Sequence, residues 1–148
     1  MARRHPESMN AEVIRGIKVR PLRGGETEVV QAVFDQLGPR SRLLRFGGAK
    51  NVLSASDLEL LSRVDATHHV LVAYIDREPV GIARLVRDGN VAEVAYAVGD
   101  EWQGHGVGTV LVDRLAADAR AAGIERFVAE IRPDNAPSLA LARRLEAA

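Results

Sequence analysis

Apolar and polar positions change rhythm several times along the chain, and each change marks an element. Ile17–Leu22 alternates apolar with polar residues as far as Pro21 and predicts an opening strand. Gly24 and Gly25 break it. From Glu26 to Leu37 the residues Val29, Val30, Val33, Phe34 and Leu37 recur at helical spacing. Gly38 and Pro39 stop that helix, and Pro39–Phe46 sets Leu43, Leu44 and Phe46 among Arg40, Arg42 and Arg45, predicting a second short amphipathic helix. Gly47, Gly48 and the polar stretch to Ser56 read as a loop. Ser56 or Asp57 then caps a further helix, with Leu58, Leu61 and Val64 on one face.

The rhythm shifts to strands at His69–Ile75, with a turn at Asp76–Glu78 and a second strand at Pro79–Val86. Asp88-Gly89-Asn90 is a strong hairpin turn, leading into a third strand at Val91–Val98 and hence an antiparallel meander. A glycine-rich loop follows. A helix is expected from about Val107 to Ala122, with Val107, Val110, Leu111 and Leu115 inward and Gly123 closing its C-terminal end. Arg126–Ile131 reads as a strand, made parallel to Val91–Val98 by the helical crossover. A last helix is expected from Asp134–Pro137 to the end. The expected fold class is α+β, with a mixed, mostly antiparallel central sheet flanked by helices, and not a doubly wound fold.

With 148 residues, 47% hydrophobic and 27% charged, the chain fits one soluble domain. Residues 1–14 read as a flexible leader and 15–148 as the domain, because Pro6, Glu7, Ser8 and Asn10 interrupt any apolar signal core. A cytoplasmic location is the expectation. No apolar run is long enough to span a membrane. The chain lacks cysteine, which excludes disulfides, thiolate metal sites and a cysteine nucleophile. Formal net charge is zero, so no global field favours nucleic acid. Of the basic residues only Lys18 and Lys50 are lysine, a bias that decides nothing alone.

The candidate chemistry lies in Gln103-Gly104-His105-Gly106-Val107-Gly108-Thr109, between a strand end and a helix start. Glycines allow positive φ and close approach of backbone to a ligand. Several amides can then converge where a helix leaves its first N–H groups unpaired, which suits a pyrophosphate. The helix dipole adds only about 0.3–1 kcal/mol, so most affinity must come from the amide hydrogen bonds. A P-loop would need Gly-Lys-Ser/Thr, and this loop has no lysine. The dinucleotide fingerprint would need a glycine at Thr109 and a parallel strand before it.

Gln103-Gly104-His105-Gly106-Val107-Gly108 resembles the Gln/Arg-x-x-Gly-x-Gly/Ala signature of the Gcn5-related N-acetyltransferase (GNAT) superfamily. The element order from Ile17 onward is similar to that family too. The resemblance implies a three-layer αβα arrangement and acetyl-CoA as co-substrate, with no metal. It implies that the loop, through Thr109, holds the pyrophosphate, and that the backbone of Tyr96, Ala97 and Val98 pairs with pantetheine. Asn135-Ala136-Pro137-Ser138 is similar to the family's segment beside the pantetheine arm, implying roles for Asn135 and Ser138. Leu37–Phe46 together with Ala92-Glu93-Val94-Ala95 is similar to bacterial protein lysine acetyltransferases of the Pat type, implying a protein lysine as acceptor.

Transfer to an amine requires a neutral nucleophile, and deprotonating a lysine of pKa about 10.4 at neutral pH costs about 4 kcal/mol. Strand alternation puts Glu93 on one face with Val91, Ala95 and Ala97, beside small residues that leave space for substrate. Glu93 is therefore the candidate general base, a role the Pat-type resemblance also implies, acting through water. The bland alternative is an exposed glutamate paired with a nearby arginine. His105 reads as a loop residue pointing to solvent or phosphate, and Trp102 as a packing anchor. His68 and His69 lack an HExxH-like partner, so no metal site is expected.

Two features depart from the family pattern. By register from Asn135, the position of the family's general-acid tyrosine is Ala142, and no tyrosine follows Tyr96. The chain also stops at Ala148 without the family's C-terminal hairpin, so the expectation is either a shortened version or a sheet completed by a partner chain or lost domain; an exposed edge invites pairing, and a homodimer is among the expected partners. The leading expectation is an N-acetyltransferase. A catalytically idle acyl-CoA-binding or sensor module is the alternative, and a Rossmann-like nucleotide binder a disfavoured third.

Overall fold

The computed structural model describes residues 16–39 and 52–128. Strand β1 is Lys18–Pro21, helix α1 Thr27–Asp35 and helix α2 Ala55–Leu61. Strands β2, His68–Ile75, β3, Glu78–Asp88, and β4, Val91–Val98, form the expected meander. A single 3-10 turn at Asp100–Trp102 precedes helix α3, Val107–Ala121, and strand β5, Arg126–Val128. The sheet order is β1-β2-β3-β4-β5, antiparallel except for the parallel β4–β5 pair.

The sequence explains most boundaries. Asp76 and Arg77 both take positive φ (50° and 69°), the sense that matches the twist of a two-residue hairpin. At the β3–β4 turn Gly89 takes φ 63°, and Gly123 at φ 84° terminates α3. The cap of α2 is Ser54, not Ser56 or Asp57. Its hydroxyl accepts from the Asp57 amide while the Asp57 carboxylate accepts from the Ser54 amide, a reciprocal capping box. Val64 consequently falls beyond that helix.

Two cores sandwich the sheet. On one side α3 buries Val107, Leu111, Val112, Leu115, Ala116 and Ala119 against Leu71, Ala83, Leu85, Ala92 and Val94. Val112 takes the inward place expected for Val110, which is half-buried. On the other side Val29, Val30 and Phe34 of α1 meet Leu53, Val70 and Val72, with Leu58 and Leu61 of α2 at the margin. The layers are helix, sheet, helix. The predicted helix at Pro39–Phe46, the leader at 1–14 and the C-terminal helix with Asn135, Ser138 and Ala142 lie largely or wholly outside the described residues.

Two polar groups pin the layers together. His69 of β2 bonds Asp118 of α3 at 2.8 Å, and Arg114 donates to the same carboxylate at 3.1 Å. At the β1 edge, Arg20 bonds Glu26 at 2.8 and 2.9 Å and the Tyr74 hydroxyl at 2.7 Å.

Candidate functional site

The loop after β4 has the backbone that its glycines allow. Gly104 has φ 79° and Gly106, at the N-cap of α3, has φ 91°. No side chain caps α3, in contrast to α2. Val107, Gly108 and Thr109 form the first turn, where backbone N–H groups have no acceptor within the helix. An uncapped helix start preceded by left-handed glycines has the free amides and the positive dipole end that an anion requires.

Packing fixes where that helix start lies. Val107 is buried, and Leu111 one turn on is fully buried. Both press on Gly81 of β3, where an added Cβ would sit 3.0 Å from each. Gln103 donates from Nε2 to the Val98 carbonyl at 3.0 Å, tying the loop to the end of β4. Trp102 packs on the α3-side core, edge-on to His105 with ring centroids 6.2 Å apart. His105, expected to point to solvent or phosphate, is half-buried, and its Nδ1 is buried without a hydrogen-bond partner.

The last turn of α1 is bound to the same place. Gln36 donates to the Pro79 carbonyl at 2.6 Å, and its own carbonyl accepts from the Asp100 amide at 3.0 Å. Asp100 Oδ2 accepts from the Gly38 amide at 2.9 Å. The helix over one face of the sheet and the loop at the end of β4 therefore move together.

Strand β4 presents its two faces to different surroundings. Ala92 and Val94 are buried toward α3, with Tyr96 and Val98 packed at the edge of that core. Val91, Glu93, Ala95 and Ala97 alternate onto the α1 side, and Glu93 is exposed. Pairing with β5 joins Val91, Ala92 and Glu93 to Arg126, Phe127 and Val128. Tyr96, Ala97 and Val98 lie farther along, toward the glycine loop, each paired with β3.

A cleft opens between α1 and this face, with about 420 Å³ of empty space including its open mouth. Phe34, Leu37, Ile82, Ala95 and Ala97 line it together with Arg84. Arg84 is a site residue that the sequence reading missed. It sits on β3 opposite Ala95, diagonal to Glu93. Burial pulls its guanidinium below the ordinary value, and the nearby Glu93 carboxylate pushes it back up. The available signal was its place on the apolar face of β3 between Ile82 and Val86. Glu93, the glycine loop and Tyr96–Val98 are thus brought onto one strand and its exit.

His68 and His69 are engaged elsewhere. His68 bonds Asp65 at 2.9 Å within its own turn, while His69 bonds Asp118. Among the described residues no three His, Asp or Glu side chains gather as a metal site, and no helix is long and apolar enough to cross a membrane.

Residues 42–146 match the acetyltransferase (GNAT) family. Acetyltransferase Pat of Mycolicibacterium smegmatis is 37% identical over 84 residues, which cover 53% of this chain and 25% of that protein. The chain thus spans about a quarter of the length of that curated relative. The crystal structure of the GNAT domain of S. lividans PAT is similar with a TM-score of 0.81 and 31% identity, covering 87% of this chain and 80% of that one. A cAMP-binding acyltransferase from Mycobacterium smegmatis, solved as an E234A mutant, has a TM-score of 0.60 and 27% identity, covering 86% of this chain and 39% of that one. With the sheet order, the uncapped glycine-led helix and these matches in agreement, the chain belongs to the GNAT family of acetyltransferases.

Proposed function

We propose that this chain transfers an acetyl group from acetyl-CoA to a primary amine, in particular a protein lysine, with Glu93 as general base. The observation that carries the reading is the division of β4: Glu93 is exposed on the cleft face of the same strand whose end leads into the uncapped helix start. The backbone amides from Gln103 to Thr109 neutralise the pyrophosphate, and Tyr96, Ala97 and Val98 offer main-chain groups to the pantetheine arm. Asn135 and Ser138 are proposed beside that arm.

Chemistry then follows from position. Glu93 accepts the proton of the incoming amine through water, and the neutral nitrogen forms a bond to the thioester carbon. The C–S bond breaks and the thiolate leaves, taking its proton from water since Ala142 occupies the place of a tyrosine. A positioned base contributes about 10²–10⁴-fold. The Pat relatives, which are bacterial, support the lysine acceptor.

The test is thiol release and acetyl-peptide mass with acetyl-CoA and a panel of lysine peptides and small amines. Glu93→Gln should lower kcat/KM by about 10²–10⁴-fold while coenzyme A binding, followed by calorimetry, stays intact. Unchanged turnover in that variant removes Glu93 as base. Coenzyme A binding without thiol release on any amine selects the idle acyl-CoA module. A failure to bind coenzyme A ends both readings.

A further inference from the structure

Arg84 stands on β3, the central strand of five, with Val70 on one side and Ala95 on the other as direct cross-strand neighbours. Val70 is fully buried. Helix α1 covers this face with Val30, Val33 and Phe34, so Arg84, itself half-buried, lines an apolar cleft with no other charged side chain among its described lining residues. Its Nε is buried and has no hydrogen-bond partner. A guanidinium carries five donors in a fixed fork and is suited to bidentate capture of a carboxylate. Placing one on the middle of a sheet face is costly unless an anion meets it. Glu93 lies diagonally across the strands, where Cβ atoms stand roughly 7–8 Å apart, and forms no ion pair with it of ordinary length.

We propose that Arg84 binds a carboxylate carried by the acyl acceptor, so that the cleft selects lysines with an acidic residue beside them. The inference rests on the reading of Glu93 as base, since it is Glu93 that fixes where the acceptor amine lies. Glu93 draws the amine and Arg84 the neighbouring carboxylate, so the two side chains present complementary charges to an acidic-lysine pair. Arg84 touches the acceptor and not the reacting atoms. It determines specificity, and its loss acts on KM more than on kcat.

The experiment uses two lysine peptides that differ only in Glu or Gln next to the lysine, with saturating acetyl-CoA. Parent chain, Arg84→Met and Arg84→Lys are compared after each has been checked for coenzyme A binding. The parent should favour the Glu peptide by about tenfold in kcat/KM, as expected for a hydrogen-bonded charge pair. In Arg84→Met the ratio should collapse to about one, through a rise in KM for the Glu peptide. Arg84→Lys should retain part of the preference, as a point charge without the fork. Equal rates of the parent chain on both peptides overturn the inference and leave acyl transfer standing. A parallel arm compares succinyl-CoA with acetyl-CoA on the Gln peptide: if Arg84→Met loses only the succinyl reaction, the cation serves the acyl chain and the inference is overturned. No thiol release on any amine overturns acyl transfer itself, and this inference with it.

Discussion

Gly81 joins stability to ligand binding, and its replacement by alanine has a calculable result. The new Cβ would stand 3.0 Å from Leu111 Cδ1, 3.0 Å from Val107 Cγ1 and 3.3 Å from the Ala97 carbonyl oxygen. Leu111 can swing its terminal methyl aside. Val107 is β-branched and stiff at χ1, and the Ala97 oxygen belongs to the β4 backbone, so neither yields cheaply. Overpacking of this kind costs about 1–3 kcal/mol, against roughly 0.5–1 kcal/mol regained by removing a glycine from a strand. The net is about 0–2.5 kcal/mol of destabilisation, which for a chain of this size lowers Tm by up to about 8 °C. The easiest relief is for α3 to lift by a few tenths of an ångström at Val107, the residue that opens the proposed anion site. Coenzyme A affinity should therefore fall several-fold as well, on the scale of tenfold per 1.4 kcal/mol. Differential scanning calorimetry and titration calorimetry on the same preparation read both effects. An alanine variant with unchanged Tm and unchanged coenzyme A affinity would refute the claim that the α3–β3 contact sets the loop.

Leu115→Ala removes a fully buried side chain from the α3-side core and should cost about 2–5 kcal/mol in urea unfolding, with acetyl transfer retained in whatever fraction stays folded. Ser54→Ala removes one half of the α2 capping box and should cost about 1 kcal/mol. The Arg20 side chain, helped by the Arg23 amide, holds the Glu26 carboxyl down at about 2 from an ordinary 4.5. A depressed carboxyl stabilises the fold above its unfolded pKa and ceases to do so as pH falls through its folded value. Stability should thus decline between about pH 4.5 and 2, with Glu26→Gln flattening part of that slope. Solvent screening limits the contribution to about 1 kcal/mol.

Much of this architecture is legible before any coordinates are seen. Alternation over His68–Val98 and the Gly89-Asn90 turn specify the meander, and the glycines from 104 to 108 mark the strand-to-helix loop. What alternation could not give is the burial on each side of a strand. Ser54, Ser56 and Asp57 can each cap a helix, and only the observed start at Ala55 selects Ser54. Val110 and Val112 are both apolar, and the tilt of α3 on the sheet decides that Val112 is the buried one. His105 is half-buried with Trp102 edge-on beside it, a contact without a local sequence signature. Arg84 escaped notice for a related reason: in a hairpin read by itself an arginine belongs to solvent, and only α1, fifty residues upstream, encloses it.

The site also depends on register in a way that ties catalysis to folding. In β4 the side chains that fill the core, Ala92 and Val94, alternate with Glu93, which is exposed on the other face. A slip of one residue against β3 would drive the Glu93 carboxylate into the contact with α3 and expose Val94 and Ala92. Burying an unpaired carboxylate there costs far more than any local gain in strand pairing. The same desolvation that would punish the slipped state thus holds Glu93 outward beside Ala95 and Ala97 in the native one. Small side chains at those two positions leave the cleft open above the strand, yet they contribute little core. That deficit is met from the opposite face, where Leu71, Leu85, Leu111 and Leu115 concentrate the buried apolar volume under α3. Under the proposed role of Glu93, stability and chemistry fall to opposite faces of one strand, and the glycine loop at its end is positioned by the buried face.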